Sequence, residues 1–439
     1  MVDVRIRIEP VDALIDVERQ IRIEGLASGE QIELTATTPR ADSVHWQSRS
    51  RFVADEHGVV DLSRDAPVAG SYEGVSAMGL IWSQEPIDRA DALVFPDSML
   101  EALVTTIEVQ RQPGIKATQA TTFQSDFTQR FAAKGVKRIE VRQEGLVGTL
   151  YVPAGEGPFP AVMILNGSGG GINEPRAALY ASHGYLAFAL AYFKAPSLSD
   201  YISNTPLEYF KQGLDWLRRE YQPYKDFVAL NGQSRGGELV LLLASLFPED
   251  VSAVVAYVPS ALVHSGQNAA DPAVGRDGPA WLLDGRPLTH IWENNKTATW
   301  APFDEGEPPY RHELAMLTAL DDLEAVARAR IKVENIQAPV ILLSATDDGA
   351  WPSSRYSKMV YDKLQEVNFP YDVEWVDTVD GGHSIVFPYL PTTQLTYTHP
   401  VSKRMSVQGG RADANAISNK NSWQSIKGFL AKAVTDKAV

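Results

Sequence analysis

The sequence predicts an α/β protein preceded by an all-β sandwich, and three observations lead there. Over the first third, apolar and polar residues alternate in short runs broken by Gly, Pro and Asp, as in antiparallel strands with one buried face. From about residue 136, apolar runs of strand length alternate with helical stretches, as in a mostly parallel sheet covered on both faces. The length, 439 residues, exceeds what one hydrophobic core serves, so two domains are expected, at 1–135 and 136–439.

In the first domain the period-two runs are "VRIRIEP" (4–10), "QIRIEGL" (20–26), "QIELTATT" (31–38), "VHWQSRSRFVAD" (44–55), "GVVDLS" (58–63) and "LVTTIEVQRQ" (103–112). His45 and His57 are isolated there and read as ordinary surface or core histidines. In the second domain "VKRIEVRQEGLVGTLYVP" predicts a hairpin turning at Glu144–Gly145. The strand "FPAVMILNG" ends in a glycine-rich loop, and a helix is expected from Pro175 to His183. The strand "GYLAFALAYF", the helix "PLEYFKQGLDWLRREY" and the strand "DFVALNG" follow, then a leucine-rich helix after Ser234. "SAVVAYVPS", "PVILLSAT" and "YDVEWVD" supply further strands, and "SWQSIKGFLAKAV" (422–434) a last helix. Residues 261–333 interrupt this rhythm with Trp281, Trp292, Trp300 and a helical "RHELAMLTALDDLEAVARAR". Such an insertion serves either as a lid or substrate wall or as a peripheral surface element.

Composition narrows the chemistry. With no cysteine, disulfides, thiolate metal sites and a cysteine nucleophile are excluded together. The formal net charge of −15 speaks against a nucleic-acid surface, which needs clustered Lys and Arg. No apolar run approaches the roughly 18 residues of a membrane span, and a cytoplasmic location is expected.

"Gly232-Gln233-Ser234-Arg235-Gly236" fits the G-x-S-x-G elbow that lifts a nucleophilic serine above a sheet. The context agrees, because "FVAL" precedes it and Leu239, Leu242, Leu243 and Leu246 follow at helical spacing. The order expected on such a fold is serine, acid, histidine. Of the two histidines beyond the last strands, His383 in "DGGHSIVFP" is preferred as the general base over His399, which precedes Pro400. The acid should end the strand "PVILLSAT", where Asp347 and Asp348 both stand; Asp348 is favoured and Asp347 remains open. The other carboxylate is expected to cap the helix near Pro352, and Asp380 lies after the wrong strand. Oxyanion donors are expected from the Arg235 backbone N–H and from "LNGSGGG" (165–171), at Ser168 or Gly169. A phosphate-binding reading of that loop lacks the Lys-Ser/Thr pair, and there is no spaced G-x-G-x-x-G. No metal or organic cofactor is implied.

These motifs together resemble the family of acyl-CoA thioesterases and bile-acid-CoA:amino acid N-acyltransferases. The resemblance runs through "MGLIW" (78–82), "GPFPAVMILNGSGGGINEPRA", "LAFALAYF", "SRGGELVLLLAS", "IKVENIQAP", "DDGAW", "GGHSIVFPY" and "GGRADANA". It implies an α/β-hydrolase fold behind an immunoglobulin-like sandwich, and a triad on Ser234, Asp348 and His383. It implies attack of the serine on an acyl-CoA thioester, release of CoA and hydrolysis of the acyl-enzyme. The family's amino acid transferases carry cysteine at the nucleophile, so serine favours hydrolysis; transfer to an amine or alcohol, or ester cleavage, are the alternatives. A catalytically inactive binding protein is the competing class, and the complete Ser–Asp–His set counts against it. The chain departs from the family at Arg235, where lysine is common, and in a longer, tryptophan-rich stretch at 281–310.

Overall fold

The computed structural model describes residues 4–89, 93–111 and 122–437. The chain divides into two compact units, one of Met1–Ala133 with Phe387–Gln394, the other of Lys134–Val386 with Leu395–Val439. The first unit thus reclaims eight residues from late in the chain, which the sequence reading had placed in the second domain.

The first unit is built of strands. A three-stranded sheet pairs Arg5–Glu9 with Gln20–Glu24 and Gln20–Glu24 with Val60–Asp61. A larger sheet runs in the order Asp12–Leu14, Thr122–Arg130, Ala102–Arg111, Gln31–Pro39, His45–Val53, Ala69–Gly70. Alternation decides which side chains are buried: Ile21 and Ile23 on the small sheet, and Leu34, Trp46, Phe52, Ile107 and Val109 on the large one. Thr122–Arg130 was not anticipated, because "TFQSDFTQR" is polar at all but two positions; Phe127 and Gln129 are nonetheless buried. "MGLIW" forms a single buried helical turn at Gly79–Trp82. Phe387 closes this unit's core, its ring 5.7 Å from Phe131 and 6.0 Å from Phe95.

The second unit carries an eight-stranded sheet, labelled here β1 (Lys137–Gln143), β2 (Leu146–Val152), β3 (Ala161–Leu165), β4 (Leu186–Ala191), β5 (Val228–Gln233), β6 (Ala253–Tyr257), β7 (Val340–Ala345) and β8 (Val373–Thr378). The spatial order is β1-β2-β4-β3-β5-β6-β7-β8; β2 is antiparallel to both neighbours and every other pairing is parallel. Strands β3 to β7 are buried along their length, apart from Gln233 at the end of β5, the burial expected of a sheet covered on both faces. The β1–β2 hairpin turns at Glu144 and Gly145, both with positive φ as a two-residue turn of this kind requires.

Helices α1 (Glu174–Ser182), α2 (Glu208–Tyr221), α3 (Arg235–Leu246), α4 (Ser353–Glu366) and α5 (Ala412–Asp436) complete the unit. The insertion differs from expectation: its helical stretch breaks into Glu313–Ala319 and Leu323–Ala329. Asp322 causes the break, since its Oδ1 accepts the N–H groups of Glu324 and Ala325, an N-cap that starts a new helix. Its Oδ2 also accepts the N–H of Lys296, tying the helix to the tryptophan-bearing loop. The insertion is packed rather than peripheral: Trp281, Trp300 and Phe303 belong to the main hydrophobic core, and Trp292 stacks on Trp300 with centroids 4.0 Å apart.

Candidate active site

The site begins with a strained residue. Ser234 sits between β5 and α3 with φ 59° and ψ −118°, a conformation that L-residues adopt only when surrounding structure forces it. The force comes from close packing at the turn. A β-carbon on Gly232 would lie 2.0 Å from the Gly236 carbonyl oxygen, and one on Gly236 would lie 2.4 Å from that of Leu165. Only glycine fits at either place, and the serine between them is pushed out of the strand line. The Ser234 N–H donates to the Tyr257 carbonyl at the end of β6, which fixes the turn.

Two loops bring the partners. Ser234 Oγ lies 2.8 Å from His383 Nε2, and His383 Nδ1 lies 2.8 Å from Asp348 Oδ2. With a carboxylate accepting at Nδ1, the ring proton stays there and Nε2 offers a lone pair to the serine hydroxyl. Asp348 is 3% exposed and His383 7%. The second oxygen of Asp348 accepts the N–H groups of Ala350 and Trp351, so the carboxylate is held on both sides. The loop after β8 is pinned where the His383 N–H donates to the Gln408 carbonyl and the Gly382 N–H to Asn415 Oδ1.

The other aspartates fall elsewhere. Asp347 pairs with Arg311 at 3.0 Å and accepts the Gly410 N–H. It does not cap the helix near Pro352, as had been expected: α4 has no side-chain cap, because both carboxylates of the pair are committed to loop contacts. Asp380 pairs with Arg411 on the surface. His399 is not the histidine bonded to Ser234; its Nε2 lies 3.0 Å from Ser168 Oγ.

The expected oxyanion donors are distributed as follows. Arg235 opens α3, so its backbone N–H is among the first four of the helix, which find no carbonyl within it. Its side chain turns inward to a buried ion pair with Glu238 at 2.8 Å. In the glycine loop after β3, the residue against Ser234 is Gly167, where a β-carbon would lie 3.3 Å from Ser234 Cβ. Ser168 follows directly, and Gly169 packs beneath Tyr397 and Pro400.

Sequence reasoning passed over two supporting groups. Arg176 on α1 donates to Gln233 Oε1 at 3.0 Å and to the Ile385 carbonyl at 3.1 Å, with its guanidinium 3.8 Å from the centre of the Tyr257 ring. It thereby joins the nucleophile turn to the histidine loop. The signal was an arginine in step with Tyr180 on an otherwise apolar helix face. Glu238 is the second: it accepts from Trp281 Nε1 at 2.9 Å and from the His264 N–H at 3.2 Å, besides its pair with Arg235. Burial raises its carboxyl above the usual range, against the opposing pull of Arg235. This network fastens the first turn of α3 to the insertion.

A strained serine at a strand-to-helix turn, followed in chain order by an aspartate and a histidine in hydrogen-bond contact, defines an α/β-hydrolase. Residues 205–436 match the family described as "BAAT / Acyl-CoA thioester hydrolase C terminal", and residues 16–143 match its N-terminal region. The chain belongs to this acyl-CoA thioester hydrolase/BAAT family. Its relatives include mouse acyl-coenzyme A thioesterase 6, 29% identical over 430 residues, covering 95% of this chain and 93% of that protein. The mouse peroxisomal succinyl-coenzyme A thioesterase is 27% identical over 434 residues, covering 95% and 93%. Among solved structures, MGS-M1, an alpha/beta hydrolase enzyme from a deep-sea metagenome library, is similar at 16% identity and TM-score 0.39, covering 68% of this chain and 98% of that one.

Proposed function

We propose that the chain hydrolyses acyl-CoA thioesters through an acyl-enzyme on Ser234. The observation that carries the reading is the continuous contact from Ser234 Oγ to His383 Nε2 and from His383 Nδ1 to Asp348, each 2.8 Å. The Ser234 hydroxyl attacks the thioester carbonyl while His383 Nε2 takes its proton. The carboxylate of Asp348 stabilises the imidazolium that forms and keeps the ring oriented. The tetrahedral oxyanion is held by the Arg235 N–H and by the loop at Ser168 and Gly169. Collapse expels the CoA thiolate, protonated by His383; a water activated by the same nitrogen then releases the acid. The thioesterase names of the full-length relatives support the choice of thioester over other acyl groups.

The test is mass-spectrometric product analysis on a panel of acyl-CoAs, with and without added amino acids, and with Ser234→Ala as the blank. Free acid and CoA as sole products are expected. An acyl-amine product would move the reading to acyl transfer, and turnover of simple esters alone would move it to a carboxylesterase. The proposed chemistry uses no metal or organic cofactor, so dialysis against EDTA should leave turnover unchanged.

Among the described residues no helix is long and apolar enough to cross a membrane. A cytoplasmic location is proposed with the activity; since relatives carry peroxisomal and mitochondrial names, fractionation of the native cell is the check.

A further inference from the structure

One polar pair outside the Ser–His–Asp set, a buried histidine and a half-buried serine, sits on the glycine loop that packs against the reacting serine. His399 follows the strand Thr396–Thr398, which pairs with Met405–Val407, and is 4% exposed. Its Nδ1 accepts the backbone N–H groups of Val401 and Ser402, each at 3.2 Å. An acceptor at Nδ1 places the ring proton on Nε2. Nε2 therefore donates to Ser168 Oγ at 3.0 Å. Burial, helped by the charges of Lys194 and Lys403, pushes this imidazole down to about 4. The ring thus stays neutral, and the direction of its hydrogen bond is fixed. A hydroxyl that already accepts one proton has its own left to give.

The loop that carries Ser168 is itself immobilised. The Gly170 N–H donates to the Gly167 carbonyl at 3.1 Å, and Asn166 Nδ2 donates to the Gly170 carbonyl at 2.6 Å. Tyr192 Oη donates to the Asn166 carbonyl at 2.7 Å. Gly167, immediately before Ser168, is the glycine that packs against Ser234. We propose that His399 is a positioning residue for acyl transfer: it holds Ser168 Oγ so that the serine's own proton is presented to the substrate carbonyl oxygen as charge develops there. This rests on the acyl-transfer reading of Ser234.

The experiment is a double-mutant cycle on the full chain with an acyl-CoA substrate, using His399→Ala, Ser168→Ala, their combination and His399→Gln. Wild type must release CoA and Ser234→Ala must not; failure there sinks the parent reading, and the cycle is then run on p-nitrophenyl acetate, whose carbonyl takes the same place. Each single alanine variant should lower kcat about tenfold or more while KM stays within about twofold, since the bond strengthens only in the transition state. The double variant should be no worse than Ser168→Ala, because the histidine acts only through the serine. His399→Gln, which keeps an N–H near the Nε2 position, should recover most of kcat. A His399→Ala enzyme with wild-type kcat, losses that multiply in the double variant, or a loss confined to KM would each overturn the proposal. Thermal midpoints of the same variants separate it from a purely structural tie, which would lower Tm and leave kcat of the folded fraction intact.

Discussion

At the scale of residues, the two aspartates at 347 and 348 make the clearest contrast. They are adjacent in sequence, yet Asp348 is buried on His383 while Asp347 is 45% exposed at its side chain and braces Arg311. Asp348→Asn should lower kcat by about four orders of magnitude, because the ring loses the partner that fixes its tautomer. Asp347→Asn should cost under about 1 kcal/mol of stability and little activity, as exposed ion pairs contribute little. Steady-state kinetics on the two purified variants decides it; equal losses would mean that the acid is misassigned. Ser234→Ala should abolish turnover, by about six orders of magnitude, with Tm preserved. Gly236→Ala is a different kind of test, since its β-carbon would meet the Leu165 and Asn166 carbonyl oxygens at 2.4 and 2.6 Å. That backbone must move, so the variant should lose activity and Tm together.

At the scale of elements, α3 is anchored at its first turn by a buried polar network rather than by apolar packing alone. Trp281→Phe keeps an aromatic ring, though a smaller one, at this buried position and removes the indole N–H from Glu238, leaving a buried carboxylate short of a donor. The expected cost is about 1–3 kcal/mol in denaturant unfolding, and an unchanged midpoint would show that the insertion does not support the helix. The start of α5 was missed by ten residues for a related reason. In "ADANAISNKN" the buried side chains include Asn415, Ser418 and Asn419, so no apolar period marks the helix. Those amides face the histidine loop: Asn415 Oδ1 accepts the Gly382 N–H, and Asn419 Oδ1 accepts the Val386 N–H. Helical periodicity is read from burial of apolar groups, and here the buried face is polar because it satisfies a loop backbone.

For the whole molecule, burial of histidines sets a pH limit. His264, His312 and His399 are all pushed below the ordinary value of 6.5, chiefly by burial, His312 to about 3 and His399 to about 4. Above 6.5 these groups are neutral in both folded and unfolded chains and contribute nothing to the balance. Below it the unfolded chain binds protons that the folded one refuses, so stability falls with pH at up to about 1.4 kcal/mol per pH unit for each group. Chemical denaturation between pH 7 and 5 should therefore show a steep loss, shallower in His312→Gln; equal slopes would contradict the burial argument. The first unit has its own dependence on a distant segment, since Phe387 packs on Phe95 and Phe131. Phe387→Ala should destabilise that unit by about 3–5 kcal/mol, seen as an earlier unfolding transition.

The sequence by itself determined the class of fold, the order along the chain of the eight strands of the second unit's sheet and the three reacting residue types, because each is written in local signals. Alternation, apolar run length and the spacing of glycines about Ser234 act over a few residues, and such signals survive without knowledge of distant neighbours. Three matters were left to the tertiary structure. The partner of His399 on the glycine loop and the burial of Arg176 and Glu238 depended on contacts from other elements. The recruitment of Phe387–Gln394 into the first unit joins segments more than 250 residues apart. A side chain's partner across such distances is set by how the strands stack and where the loops cross, and no local pattern encodes that.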